Sequence, residues 1–194
     1  MTRPLLLVMT KLPQVGAVKR RLTKDIGALG AWRFYRNNLT ELLRRFGRSP
    51  FWSTKVLLTP ARARYRWPKQ TPTIAQGHGD LGERMLTGLR AGARGQPVIV
   101  IGCDIPGIET EHLRSAFAAL RANDAVFGPA MDGGYWLVGL SGRRRLWRPF
   151  THVRWSTAQA LVDTLANLRN RKVGRAATLQ DVDDLKSFLA TSAP

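Results

Sequence analysis

The chain has 194 residues, 31 of them Lys or Arg and 13 Asp or Glu, which leaves a formal net charge of +18. With 44% hydrophobic and 23% charged residues, its composition excludes disorder as a description of the whole chain. One cysteine, Cys103, excludes an intramolecular disulfide framework and any multi-cysteine zinc or iron–sulfur site, and the length suits one domain over residues 1–194.

In chain order, residues 1–10 combine a positive charge with a short apolar run. No small-residue cleavage site follows, and Lys11 and Pro13 come at once, so the segment reads as a buried strand rather than a signal peptide. No run approaches the ~18 apolar residues of a membrane span, and a cytoplasmic location is expected. Further strands are expected at residues 55–59, 98–102 and 125–128, with another apolar strand resuming at Tyr135. Most have few interior charges, as strands of a parallel sheet covered on both faces do.

Between them, apolar residues recur at helical spacing: Tyr35, Leu39, Leu42, Leu43 and Phe46, then Leu81, Met85, Leu86 and Leu89. Leu113, Ala116, Phe117 and Leu120 form a third face, and Leu161, Val162, Leu165 and Leu168 a fourth. Caps are expected at Thr110 and in the capping-box patterns 80–83 and 156–159. The basic stretches 61–69 and 142–148 read as surface loops. Strands alternating with helices imply one α/β domain, a mostly parallel central sheet flanked by helices.

Ligands of such sheets bind beyond the carboxyl ends of the strands, and four segments lie there. Residues 10–22 follow the first strand and carry Lys11, Gly16, Lys19, Arg20 and Arg21. Glycine admits an anion to the backbone and the cations suit phosphate oxygens, although the Gly-Lys-Ser/Thr ending of a Walker loop is absent. Asp104 ends the strand 98–102 and either holds a hard cation against a diphosphate or caps the following turn. Asp132, before Gly133 and Gly134, is either a hairpin turn residue or a second carboxylate for metal binding or general-base work. Gln76, Gly77, Asp80 and Glu83 belong to a turn into a helix whose N-terminus suits an anion, and capping alone leaves the glycines at 77, 79 and 82 unexplained.

Other chemistries find less support. The three histidines are far apart and form no HExxH-like pattern, and no Gly-x-Ser-x-Gly elbow is present. Cys103 reads as a small buried residue rather than a nucleophile, and residues 181–184 as an acidic helix start. Trp52, Tyr65 and Trp67 lie among Lys55, Arg62, Arg64, Arg66 and Lys69, a pattern compatible with stacking nucleic-acid bases but without a recognised motif. Nucleic acid is therefore the weaker partner class.

In order along the chain, Lys11/Pro13/Gly16/Val18/Lys19/Arg21/Leu22, residues 76–85, Gly102/Asp104/Pro106, Gly128-Pro129, residues 132–135, residues 155–157 and residues 181–183 resemble the motifs of one family. It is the group of small bacterial glycosyltransferase-like proteins with the GT-A nucleotide-diphospho-sugar transferase fold, of the radical-SAM/selenodomain-associated transferase type. The resemblance covers nearly the whole chain. Arg20 departs from it, standing where the family usually has Thr. More distantly the chain is similar to molybdenum-cofactor and phospholactate guanylyltransferases, which transfer a nucleotidyl group.

The resemblance implies a metal-dependent glycosyltransferase using a nucleoside-diphosphate sugar and a small-molecule acceptor. Mg²⁺ or Mn²⁺ would sit on Asp104 and Asp132, and Lys19 and Arg21 on the nucleotide phosphates. Gly133, Gly134, Tyr135, Trp155 and Ser156 would line the donor or acceptor pocket. The alternative is a nucleotidyltransferase joining a nucleoside triphosphate to a phosphorylated acceptor. A basic nucleic-acid-binding protein and a non-catalytic scaffold stand behind both, and a homodimer is compatible with either.

Overall fold

The computed structural model describes residues 3–63, 65–92, 95–143 and 148–192. Its centre is a seven-stranded sheet built from β1 (Leu5–Lys11), β2 (Ser53–Thr59), β3 (Thr73–Ala75), β4 (Val98–Gly102), β5 (Ala125–Pro129), β6 (Tyr135–Leu140) and β7 (Val173–Arg175). The strands lie in the order β3-β2-β1-β4-β6-β5-β7. All ladders are parallel except those that β6 makes with β4 and β5. The expected α/β class is what forms, with β6 as the one reversed strand.

The central strands alternate between two cores, as strands covered on both faces must. Leu6 and Val8 of β1, with Ile99 and Ile101 of β4, face one core. Leu5, Leu7, Val98 and Val100 face the other. Helices α1 (Thr23–Phe46) and α3 (Thr110–Ala119) cover the first face, while α2 (Leu81–Leu89) and α4 (Ala160–Ala166) cover the second. A final helix, α5 (Leu185–Ser192), packs at one end, where Phe188 meets Phe34 edge-on at 5.5 Å between ring centroids. Among the described residues, no helix is long and apolar enough to cross a membrane.

The helical face of α1 and that of α3 bury as their spacing predicts. Three expectations change. Val162 (59% exposed) and Leu165 (37%) face outward, because the short helix α4 turns Ala160, Leu161 and Thr164 inward instead. The capping box at 156–159 does not form: Ser156 takes a left-handed backbone (φ +61) and Gln159 precedes α4 without a side-chain cap. In α3 the cap position falls on Glu109, whose backbone N–H donates to His112, and Thr110 is already helical.

Trp52 is a core residue, 1% exposed among Phe46, Phe51 and Phe117. Residues 61–63, 65–66, 142–143 and 148 are largely at the surface, while Arg64 and residues 144–147 of the two basic stretches lie outside the described residues.

Ile101, fully buried in the centre of the sheet, gives a direct measure of this packing. Ile101→Ala should lower stability by about 3 kcal/mol, through lost transfer energy and a residual cavity. Urea titration should show a lower midpoint with an unchanged slope.

Candidate functional site

From β1 the chain order leads outward through β2 to β3, whereas β4 lies on the other flank of β1. The carboxyl ends of β1 and β4 therefore frame a topological switch point, where open α/β sheets bind ligands. A cleft opens there, composed of two adjoining cavities of about 520 and 480 Å³. Lys11, Arg21, Asp104, Tyr135, Ser156 and Asp183 line both.

The loop after β1 delivers its cations before α1 begins, in turns rather than on the helix. Trp32 of α1 donates to the Pro13 carbonyl at 3.1 Å and helps hold that loop. Lys19 adopts a left-handed backbone (φ +48), and its side chain is only 7% exposed. The ammonium donates to Asp104 Oδ2 at 2.9 Å and to Asp183 Oδ1 at 2.6 Å. Burial alone would lower its pKa, but the two carboxylates outweigh burial and hold Lys19 firmly charged, above the ordinary lysine value. Arg20 and Arg21 remain exposed beside it, with Arg21 3.7 Å from Asp183. Gly16 takes φ +76 in an exposed turn and lines neither cavity.

The segment 181–184, expected as an acidic helix start, also brings Asp181 and Asp183 to the cleft. Asp184 alone fills that role, accepting from Ser187 N at 2.8 Å at the start of α5. The preceding segment crosses the ends of β5 and β4, tied by Leu179 N to Pro129 O and Val182 N to Asp104 O, each at 3.1 Å. Val182 is fully buried with Leu22 and Ala31, while Asp181 and Asp183 on either side of it line the cleft. The Asp-Val-Asp alternation, polar–apolar–polar, is the signal that could have found them.

Asp181 is pushed up to about 6 by burial, reinforced by Asp132, Asp183 and Asp104. Four carboxylates thus crowd one cavity. Asp132 sits in the tight β5–β6 hairpin, where its Oδ1 accepts from Gly134 N at 2.8 Å. Asp132 thus shapes the turn, as the hairpin reading expects, and it also lines the cleft. Gly134 lines it too, whereas a side chain at Gly133 would strike the backbone of Ala158 at 2.3 Å.

The turn before α2 proves mainly structural. Asp80 and Glu83 form a reciprocal capping box, Glu83 N to Asp80 Oδ1 at 2.8 Å and Asp80 N to Glu83 Oε2 at 3.1 Å. Its glycines now have reasons. Gly77 and Gly79 take positive φ (+79 and +94), and Gly82 lets Phe150 and Trp155 approach within 2.6 Å of where a Cβ would stand. Of this turn, only Gln76 reaches the cleft. It is buried, and its amide donates to the Thr10 and Leu57 carbonyls at 2.8 and 2.9 Å, which locks the ends of β1 and β2.

Trp155 and Ser156 arrive on a loop that a bidentate pair holds down: Arg154 donates to both Asp163 oxygens at 2.9 and 2.8 Å. Trp155 Nε1 reaches Asp80 Oδ2 at 3.2 Å, bridging that loop to the α2 cap. Cys103 is buried and its thiol pushed up to about 11 by burial and then by Asp104, which leaves little thiolate for nucleophilic work.

Residues 42–157 match the family described as "Uncharacterized protein conserved in bacteria", DUF2064. A candidate nucleotide-diphospho-sugar transferase from Desulfovibrio desulfuricans G20 is similar in structure at a TM-score of 0.90 and 29% identity, over 98% of this chain and 87% of that one. The 4-diphosphocytidyl-2C-methyl-D-erythritol synthase of Anaerococcus prevotii DSM 20548 is similar at 0.59 and 10% identity, over 97% and 96%. Molybdopterin-guanine dinucleotide biosynthesis protein A from Archaeoglobus fulgidus gives 0.53 and 13%, over 97% and 100%. No curated protein matches the chain in sequence. The fold is thus that of the nucleotide-diphospho-sugar transferases, as the motif resemblance implies.

The raised Asp181 has a measurable consequence in metal-free protein. Its ordinary value is 3.8 and its folded value about 6, so the folded state holds its proton more tightly. Ionisation of Asp181 costs the fold nothing below about pH 3.8 and progressively more as the pH rises through 6. Asp181→Asn should match the parent in urea midpoint at pH 4 and exceed it at pH 8. Equal midpoints at both would show that Asp181 is not strained.

Proposed function

The chain belongs to the DUF2064 family, and from that membership and the cleft geometry we propose that it is a nucleotide-dependent transferase using a nucleoside-diphosphate sugar. One observation carries this reading: Lys19 shared between Asp104 and Asp183, with exposed Arg20 and Arg21 beside it, at the switch point of the sheet. Carboxylates flanked by cations at strand ends suit a polyphosphate that brings its own counter-ion.

The residues fit a hard divalent ion in a specific way. Asp104 and Asp183 already converge on one cation, the Lys19 ammonium. Among the described residues, no group of three His, Cys, Asp or Glu side chains forms a ready-made metal centre. Two carboxylates plus substrate phosphate oxygens is how Mg²⁺ is commonly held. Asp104 and Asp183 would hold Mg²⁺ or Mn²⁺, whose chemistry there is neutralisation of the diphosphate leaving group.

The remaining steps belong to the chain itself. Arg20 and Arg21 bind phosphate oxygens, and Lys19 keeps Asp104 and Asp183 aligned. Asp132, which lines the same cleft, accepts the proton of the acceptor hydroxyl as that oxygen attacks the sugar carbon and the nucleoside diphosphate departs. The Trp155–Ser156 loop closes the acceptor side and limits water.

Nucleotidyl transfer is the second reading, favoured by the likeness to the Anaerococcus synthase and the Archaeoglobus protein. The higher TM-score of the Desulfovibrio structure favours sugar transfer. Products separate them: a nucleoside diphosphate released from a sugar donor supports the first, and pyrophosphate released from a triphosphate the second.

Calorimetric titration of UDP- and GDP-sugars with Mn²⁺ tests the common premise. Asp104→Asn should weaken metal-dependent nucleotide binding at least tenfold, as should Asp183→Asn. Asp132→Asn should leave binding within about twofold and cut turnover by about 10² or more, the range of a positioned general base. Absence of metal-dependent binding by the parent protein would falsify the assignment.

A further inference from the structure

The cleft uses few of the cations behind the +18 charge, and a second basic site lies away from it. Outer residues of α1 and the segment 65–69 wall a groove of about 830 Å³. Arg36 and Arg44, eight residues apart, lie on one stripe of α1, while Arg66 and Lys69 face them from the other wall. No ion pair engages these four among the described residues, and the one carboxylate in the groove, Glu41, is taken by Arg45 at 3.3 Å. The four have no carboxylate partner among the described residues, although Arg36 lies over the Trp32 ring at 4.6 Å and donates to Asn37 Oδ1 at 3.2 Å; an anion joining them would offset their mutual repulsion.

The groove also holds an aromatic platform. Tyr65 is 39% exposed, and its ring lies 4.4 Å centroid to centroid from Trp67. Trp67 is buried and fixed by its own hydrogen bond, Nε1 to Thr73 Oγ1 at 2.9 Å. An exposed ring supported by a pinned indole stays in place and offers a face for stacking. None of the exposed aliphatic side chains lines the groove, which argues against insertion into a lipid surface. An acidic peptide would meet the cations but make no use of the ring.

We propose that this groove binds single-stranded nucleic acid, with phosphates on Arg36, Arg44, Arg66 and Lys69 and a base stacked on Tyr65. Cations that track a backbone beside an aromatic face are how strands are held without sequence preference. The volume exceeds what a lone inorganic phosphate needs. This site is separate from the transferase cleft, so the two can stand or fall independently.

Fluorescence anisotropy with a fluorescein-labelled oligouridylate of twelve residues tests it. For four phosphate contacts, binding should weaken about fiftyfold between 50 and 200 mM salt, from a slope of about −0.7 per contact. Arg44→Glu/Arg66→Glu should weaken binding at least tenfold and flatten that slope by about 1.4. Tyr65→Ala should weaken it about tenfold with the slope unchanged, and Tyr65→Phe should restore it. Asp104→Asn should bind the oligonucleotide as the parent does. All of these positions except Asp104 are outside the cleft, so thermal melting should match the parent and exclude misfolding.

The proposal is overturned if the oligonucleotide does not bind, if the double variant binds as the parent does, or if Asp104→Asn loses binding. It is equally overturned if Tyr65→Ala changes nothing, or if an oligoglutamate of equal charge competes as well as the oligonucleotide.

Discussion

Three stretches of chain far apart in sequence meet at one ammonium group. The loop after β1 supplies Lys19, the end of β4 supplies Asp104, and the segment before α5 supplies Asp183. The adjoining cavity also holds Asp132 and Asp181, so four acidic side chains face a cavity whose own cations, Lys11 and Arg21, are exposed. Like charges at such range disfavour their own ionised forms. Lys19 is the buried cation that offsets this crowding, and its left-handed backbone is the local cost of placing it there.

Everything else about the cleft follows from what keeps those three stretches in register. Gln76 ties β1 to β2 from beneath, and Asn38 of α1 donates to the Cys103 carbonyl at 2.6 Å, which holds the end of β4 against that helix. The loop carrying Trp155 is clamped twice, to α4 through Asp163 and to the α2 cap through Asp80. Candidate binding groups carried on loops are thus set by rigid elements, an arrangement of the kind that lowers the ordering cost of ligand capture.

Much of this was legible from residue order alone. Strands covered on both faces announce themselves as short apolar runs, and β1, β2, β4 and β5 fall where such runs stand. The three-residue edge strands β3 and β7 do not, because Thr73–Ala75 and Val173–Arg175 are too short to carry a period. Asp104 and Asp132 are visible because each follows a strand. Asp183 hides beside a genuine helix cap, Asp184, and local pattern could not separate a carboxylate that caps from one that crosses to another strand end. The glycines at 77, 79 and 82 have a local reason that pattern alone does not show, a backbone need at 77 and 79 and a close packing contact at 82. Lys19 is visible in its loop, but its partners are acidic side chains 85 and 164 residues away, a distance no local pattern spans.

The short Asp-Val-Asp crossing behaves as a ruler. It is fixed upstream where Leu179 hydrogen-bonds Pro129 and downstream where Asp184 caps α5. Between those points the chain alternates faces, so a single inserted residue would rotate an aspartate into the space that Val182 fills and turn the valine toward the cleft. Neither end can absorb the slip, one being paired to the sheet and the other committed to a helix. Length between Leu179 and Asp184 is therefore constrained from both ends.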